Sequence, residues 1–273
     1  MKIFSLYRDF FTFLEKISPG SLKWDVYCTH YFKPHQEFLD TYFSHFPLID
    51  FSNLRQRVEA IKSSDYSWLE HLISASPPEE IVRDAYEKCC KIITGQKKPE
   101  VYLFVGFFSP DGFVMKFKEK PVICFGLERF MDFRLLKIIF SHEYAHFLLH
   151  LSKGKVPEEK EGKWLIISEG LATYFSFLAF PERKREEHFL MNRFTLIWCQ
   201  QHESLLRDIY SSGKYSSQEL TDFYLKGNPA LNLPPRAGKY LGFQAVEKFL
   251  AQNSEMDISL LLSDRELALS LEL

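Results

Sequence analysis

No pair of cysteines in this chain falls into a C-x-x-C spacing. The five present (Cys28, Cys89, Cys90, Cys124 and Cys199) are odd in number and irregularly placed. That excludes a disulfide framework and a cysteine-based zinc site, and it points to a reducing, cytoplasmic compartment. Basic tracts are missing too: 34 Lys and Arg against 36 Asp and Glu leave a net charge of −2. There is thus no electrostatic footprint for nucleic acid or for an anionic membrane surface. No stretch approaches 18 uninterrupted apolar residues, so no membrane span is expected. The opening MKIFSLYRDFFTFLEKI begins like a signal peptide. Arg8, Asp9 and Glu15 interrupt it, however, and no small-residue cleavage site follows. The spacing of Phe4, Leu6, Tyr7, Phe10, Phe11 and Leu14 predicts an amphipathic helix instead. Repeats and low-complexity segments are lacking as well.

What the chain has in abundance is aromatic side chains, 27 Phe, 13 Tyr and 4 Trp among 273 residues, within an ordinary 46% apolar fraction. One large domain or two small ones can bury a substantial core at this length. Residues 1–95 read as helices, with turns at Ser18-Pro19-Gly20 and Ser76-Pro77-Pro78. Pro78-Glu79-Glu80 is a strong helix start, because proline needs no amide partner there and the acids face the positive end of the dipole. From residue 96 the character changes. VYLFVGFF (101–108), GFVMKF (112–117) and KPVICFG (120–126) are short, aromatic or β-branched, and separated by turn signals such as Ser109-Pro110-Asp111-Gly112. They predict a small, mostly antiparallel sheet. A helix capped by Asp132 then runs to about Leu151, and a second starts near Pro157 and reaches Phe180. Further helices are expected over 183–211, over 242–252 and from Ile258 onward. The class is α+β, with a helical region over 1–95 and a second domain over 96–273.

Within the first of those two central helices, the apolar run FRLLKIIF-SHEYAH-FLLHL carries two histidines and a glutamate, costly residues for a buried position. On a helix, His142 and His146 project from one face, about 6 Å apart along the axis. Two imidazoles so placed can converge on one ion at about 2.0–2.1 Å each. Glu143 lies about 100° round the helix, where it can act as general base toward water at such an ion. Catalytic zinc takes three protein ligands, and the candidate for the third is Glu169 in I-S-E-G-L-A-T-Y, with Gly170 allowing close helix approach. His150 is one turn too far along to join His142 and His146 on one ion. His30, His35, His45, His71, His188 and His202 are scattered singly.

H-E-Y-A-H followed by E-G-L-A resembles the gluzincin metalloproteases, the thermolysin-like branch of the zincins. More narrowly, residues 100–262 resemble a family of bacterial and phage-borne proteins described only as predicted zinc-dependent proteases. The strand region VYLFVGFFSPDGFVMKF, the segment VICFGLERF and the late PPRAGKYLGF (234–243) carry that likeness. The resemblance implies a zincin-like fold with its small sheet beside the HExxH helix, zinc held by His142, His146 and Glu169, and hydrolysis of a peptide or protein substrate. It also implies that Val122–Phe125 is the edge strand on which an extended substrate lies. Arg236 and Tyr240, in the late segment, are candidates to stabilise the oxyanion; a structural salt bridge and a core tyrosine remain open for them. The chain departs from the gluzincin pattern where an aspartate follows the glutamate ligand: Ala172 and Thr173 stand there, so no group is assigned to orient a histidine. Two other functions stay open, a metal-binding module without protease activity and a zinc amidase acting on a non-peptide substrate.

Overall fold

The structure, a computed structural model, describes residues 1–46, 51–93, 95, 97–107 and 109–273. They fall into two compact units, Met1–Tyr86 with Lys97–Phe140, and Glu87–Gln96 with Ser141–Leu273.

The first unit is built on a four-stranded sheet: β1 (Lys2–Ser5), β2 (Glu100–Phe104), β3 (Gly112–Phe117) and β4 (Lys120–Gly126), in the order β1-β2-β4-β3. The three expected strands are present, although the expected end of the first, at 108, lies outside the described residues. Their pairing differs from the expectation. The sheet is mixed, with β1–β2 and β2–β4 parallel and only β3–β4 antiparallel. Residues 109–111 therefore do not close a hairpin between β2 and β3. The hairpin is the next one along, where Lys118 (φ 49°) and Glu119 (φ 62°) both turn left-handed between Phe117 and Lys120. A two-residue loop with positive φ at both positions matches the twist of the strands it joins. β1 is the second departure: Lys2–Ser5 pairs with β2, and the helix expected from the N-terminus begins only at Tyr7 and runs to Lys16.

β4 is buried along Val122–Gly126, as a strand covered on both faces should be, and it lies between β2 and β3. Val122–Phe125 is therefore not an edge strand: its backbone groups are already paired on both sides. The edges are β1 and β3. The unit's core is a lattice of rings, with Phe38 stacked on Tyr102 at 4.3 Å and Phe10 edge-on to Tyr31 at 5.5 Å. Tyr31 is tied to the residue that follows β2, its hydroxyl donating to the Val105 carbonyl at 2.9 Å and accepting from the Val105 amide at 3.1 Å. The nearby Gly106 amide donates to Glu128 Oε1 at 3.0 Å, as does Ser109 Oγ at 3.0 Å.

The helix Leu136–Leu151 contributes its first residues to this unit and the rest, from Ser141, to the second. In the second unit the helix Glu161–Ala179 packs along Ala237–Gln252. Their contact is backbone to backbone: a Cβ on Gly170 would stand 2.1 Å from the carbonyl carbon of Gly242, and one on Gly242 would stand 2.0 Å from the Ile166 oxygen. The expected helix over 183–211 is broken into Arg185–Phe189, Arg193–Gln201 and Glu203–Ser211. Leu190 turns left-handed (φ 51°), and the Asn192 side chain caps the second piece by accepting from the Thr195 amide. The helix expected from 242 starts at Ala237. A further helix, Ser217–Lys226, is opened by a reciprocal cap between Ser216 and Glu219.

Candidate metal centre

His142 and His146 stand one turn apart on Leu136–Leu151, and their Nε2 atoms are 3.2 Å apart. The apolar residues around them, Ile138, Ile139, Tyr144, Ala145, Phe147 and Leu148, are buried. The helix is thus enclosed nearly all round, as its composition requires. Glu169 on Glu161–Ala179 reaches the pair with both oxygens: Oε2 lies 3.4 Å from His142 Nε2, and Oε1 lies 3.4 Å from His146 Nε2. The glycine at 170 leaves this stretch without bulk on the face toward Gly242, which fixes where Glu169 sits.

These separations test the fit of an ion directly. A tetrahedron with arms of 2.0–2.1 Å, the zinc–nitrogen and zinc–oxygen range, has edges of about 3.3 Å. The two imidazole nitrogens stand at about such an edge, 3.2 Å apart, and the carboxylate straddles them, with one oxygen 3.4 Å from each nitrogen. Two imidazoles and one carboxylate also form a donor set that zinc accepts in catalytic sites. Among the described residues, the metal-capable group is His142, His146 and Glu169. His150, exposed at the helix end, is not part of it.

Electrostatics favour the ligating forms of His142 and Glu169, whereas at His146 burial is outweighed by its bond to Glu169 and the charges of Glu169 and Glu143, which raise it above the ordinary histidine value. Burial, assisted by the Lys239 charge, pulls His142 down to about 3, so its imidazole is neutral with a lone pair available. Burial on its own would raise Glu169. The Lys239 ammonium and the two histidines outweigh it and hold this carboxylate well below its ordinary range. Glu143 is 8% exposed, and burial pushes it up to about 7. Beside His146 and Glu169 opens a cavity of about 480 Å³, lined by Leu149, Val156, Trp164, Leu165, Gln218 and Thr221 among others.

Two other candidates are engaged elsewhere. The Tyr240 hydroxyl donates to Glu203 Oε2 at 2.8 Å, and its ring packs by Phe189. Arg236, exposed and left-handed (φ 65°), donates to the Leu190 carbonyl. The structure brings the residue between them to the cluster instead. Lys239, 7% exposed, places Nζ 3.0 Å from Glu169 Oε2 and 3.2 Å from His142 Nε2. The signal for it was in the sequence: A-G-K-Y-L-G-F is a run of small and aromatic residues that buries a lone lysine. Neither Ala172 nor Thr173 orients a histidine. Thr173 donates to the Glu169 carbonyl at 2.8 Å, within its own helix, and His142 Nδ1 is buried without a hydrogen-bond partner among the described residues.

A family model described as "Predicted Zn-dependent protease (DUF2268)" matches residues 79–266, a span that contains all of these side chains. No curated protein and no solved structure matches the chain.

Proposed function

Because the chain belongs to the family described as "Predicted Zn-dependent protease (DUF2268)", we propose that it is a zinc peptidase of the gluzincin type. In this reading His142, His146 and Glu169 hold the ion and Glu143 is the general base. The observation that carries the proposal is the convergence of two imidazole nitrogens, 3.2 Å apart, and a carboxylate with one oxygen 3.4 Å from each. Zinc held there would supply Lewis acidity, polarising a peptide carbonyl and acidifying water.

The chain's own residues do the rest. Glu143, raised by burial to about 7, is basic enough to take the proton of the attacking water and acidic enough to return it to the leaving amine. His142 is held neutral, so its lone pair is not lost to a proton at working pH. The cavity beside His146 and Glu169, with Leu149, Trp164 and Leu165 in its wall, offers an apolar surface on which a peptide side chain can lie.

Two measurements on purified protein test the proposal. Elemental analysis should find one zinc per chain, lost in His146→Ala. Glu143→Gln should keep the zinc and lose hydrolysis of a peptide library by about a hundredfold or more. A wild-type protein free of zinc after loading, or hydrolysis unimpaired in Glu143→Gln, refutes it.

A further inference from the structure

The residue that makes this centre unusual is Lys239. A lysine ammonium is a strongly hydrated point charge that proteins seldom bury without an anionic partner. This one is almost fully enclosed, 7% exposed, and it is aimed at the two ligand atoms His142 Nε2 and Glu169 Oε2, at 3.2 and 3.0 Å. Its helix has little freedom to shift, because Gly238 and Gly242 on either side are pressed against Tyr224 and the Ile166 carbonyl.

Nζ is already within hydrogen-bonding distance of two of the three donor atoms. A dication bound to those same atoms therefore meets the ammonium at close range, in a setting of low dielectric where like charges repel strongly. We propose that Lys239 is the resident counter-cation of the metal centre. It holds Glu169 and His142 in ligating position while the site is metal-free, and it gives up both contacts when a divalent ion enters. This inference rests on the zinc reading of the same three ligands, and goes beyond it by assigning a lysine that opposes loading and preserves the metal-free fold.

The test compares wild-type protein with Lys239→Met, using zinc affinity from chelator competition and melting temperature with and without zinc. Removing the ammonium should tighten zinc binding at least tenfold. It should also lower the metal-free Tm by about 5 °C or more, because Glu169 is left as an uncompensated buried charge. Zinc would then raise the Tm of the variant by more than it raises that of the wild type. If Lys239→Met fails to fold, Lys239→Gln makes the same comparison while keeping a donor for Glu169 Oε2. Wild type binding one zinc with the variant binding no tighter, or an unchanged metal-free Tm, overturns the counter-cation and leaves the zinc reading standing. A wild type that takes up no zinc in the same titration overturns the zinc reading, and the inference with it.

Discussion

Gly170→Ala is the substitution that probes the centre most sharply, since the sign of its effect distinguishes two pictures. In an exposed helix, replacing glycine by alanine stabilises by about 1 kcal/mol through propensity and unfolded-state entropy. Here the added methyl would stand 2.1 Å from the carbonyl carbon, 2.4 Å from the oxygen and 2.5 Å from the Cα of Gly242. All three are backbone atoms, with no side chain that can swing away. Relieving the overlap requires the helices Glu161–Ala179 and Ala237–Gln252 to part by roughly 1 Å, and a gap of that size forfeits a quarter to a half of each contact across it. Overpacking of this kind costs about 1–3 kcal/mol, and more where backbone opposes backbone. We therefore expect a net loss of about 3 kcal/mol in urea denaturation of the metal-free protein. Because Glu169 and Lys239 sit on the two separating helices, zinc affinity should change as well. A variant as stable as wild type, or more stable, would refute the reasoning that this contact sets the site.

Glu128 offers a pH test in the first unit. Burial raises its carboxyl from 4.5 to about 7, so between those values the folded chain holds a proton that the unfolded chain has released. Stability should fall as pH rises through this window, by up to about 3 kcal/mol, and level off above it. Glu128→Gln should match wild type near pH 5 and exceed it near pH 8; thermal melts across the range that run parallel for the two proteins would contradict this. Tyr240→Phe should cost about 1 kcal/mol through the lost bond to Glu203 and leave kcat for peptide hydrolysis unchanged, whereas a hundredfold fall would return the tyrosine to the oxyanion. Arg265 donates to the Leu149 carbonyl at 2.8 Å and to Ser152 Oγ at 2.9 Å, closing the end of the Leu136–Leu151 helix. Arg265→Ala should destabilise by about 1–2 kcal/mol in chemical denaturation.

Local pattern carried much of this architecture. The three strands between 100 and 126, the long helix bearing H-E-Y-A-H and the helix bearing Glu169 were all legible, because each depends on periodicity, turn residues and burial within a short window. The long-range pairings were not. Nothing in Lys2–Ser5 names Glu100–Phe104 as its partner, and a single turn signal at Ser109–Gly112 cannot tell a hairpin from a loop that carries the chain past an intervening strand. Leu190 shows the same limit in the helices: an apolar residue in left-handed conformation ends Arg185–Phe189 where the pattern runs on. In the site, the meeting of His142, His146 and Glu169 was readable from the spacing of potential ligands. Arg236 and Tyr240 were chosen for the chemistry they could offer; the structure buries Tyr240 against Phe189 and Glu203, leaves Arg236 exposed ahead of the helix, and brings Lys239 to the cluster.

The order of the strands also sets how firmly each is anchored. The amides of β4 are committed on both flanks, so hydrogen exchange should be slowest along Val122–Phe125, just upstream of the helix that carries the histidines. β1 hangs from β2 alone over Lys2–Ser5. It is the part of the sheet that can peel away first, leaving the three remaining strands a complete sheet with a fresh parallel edge.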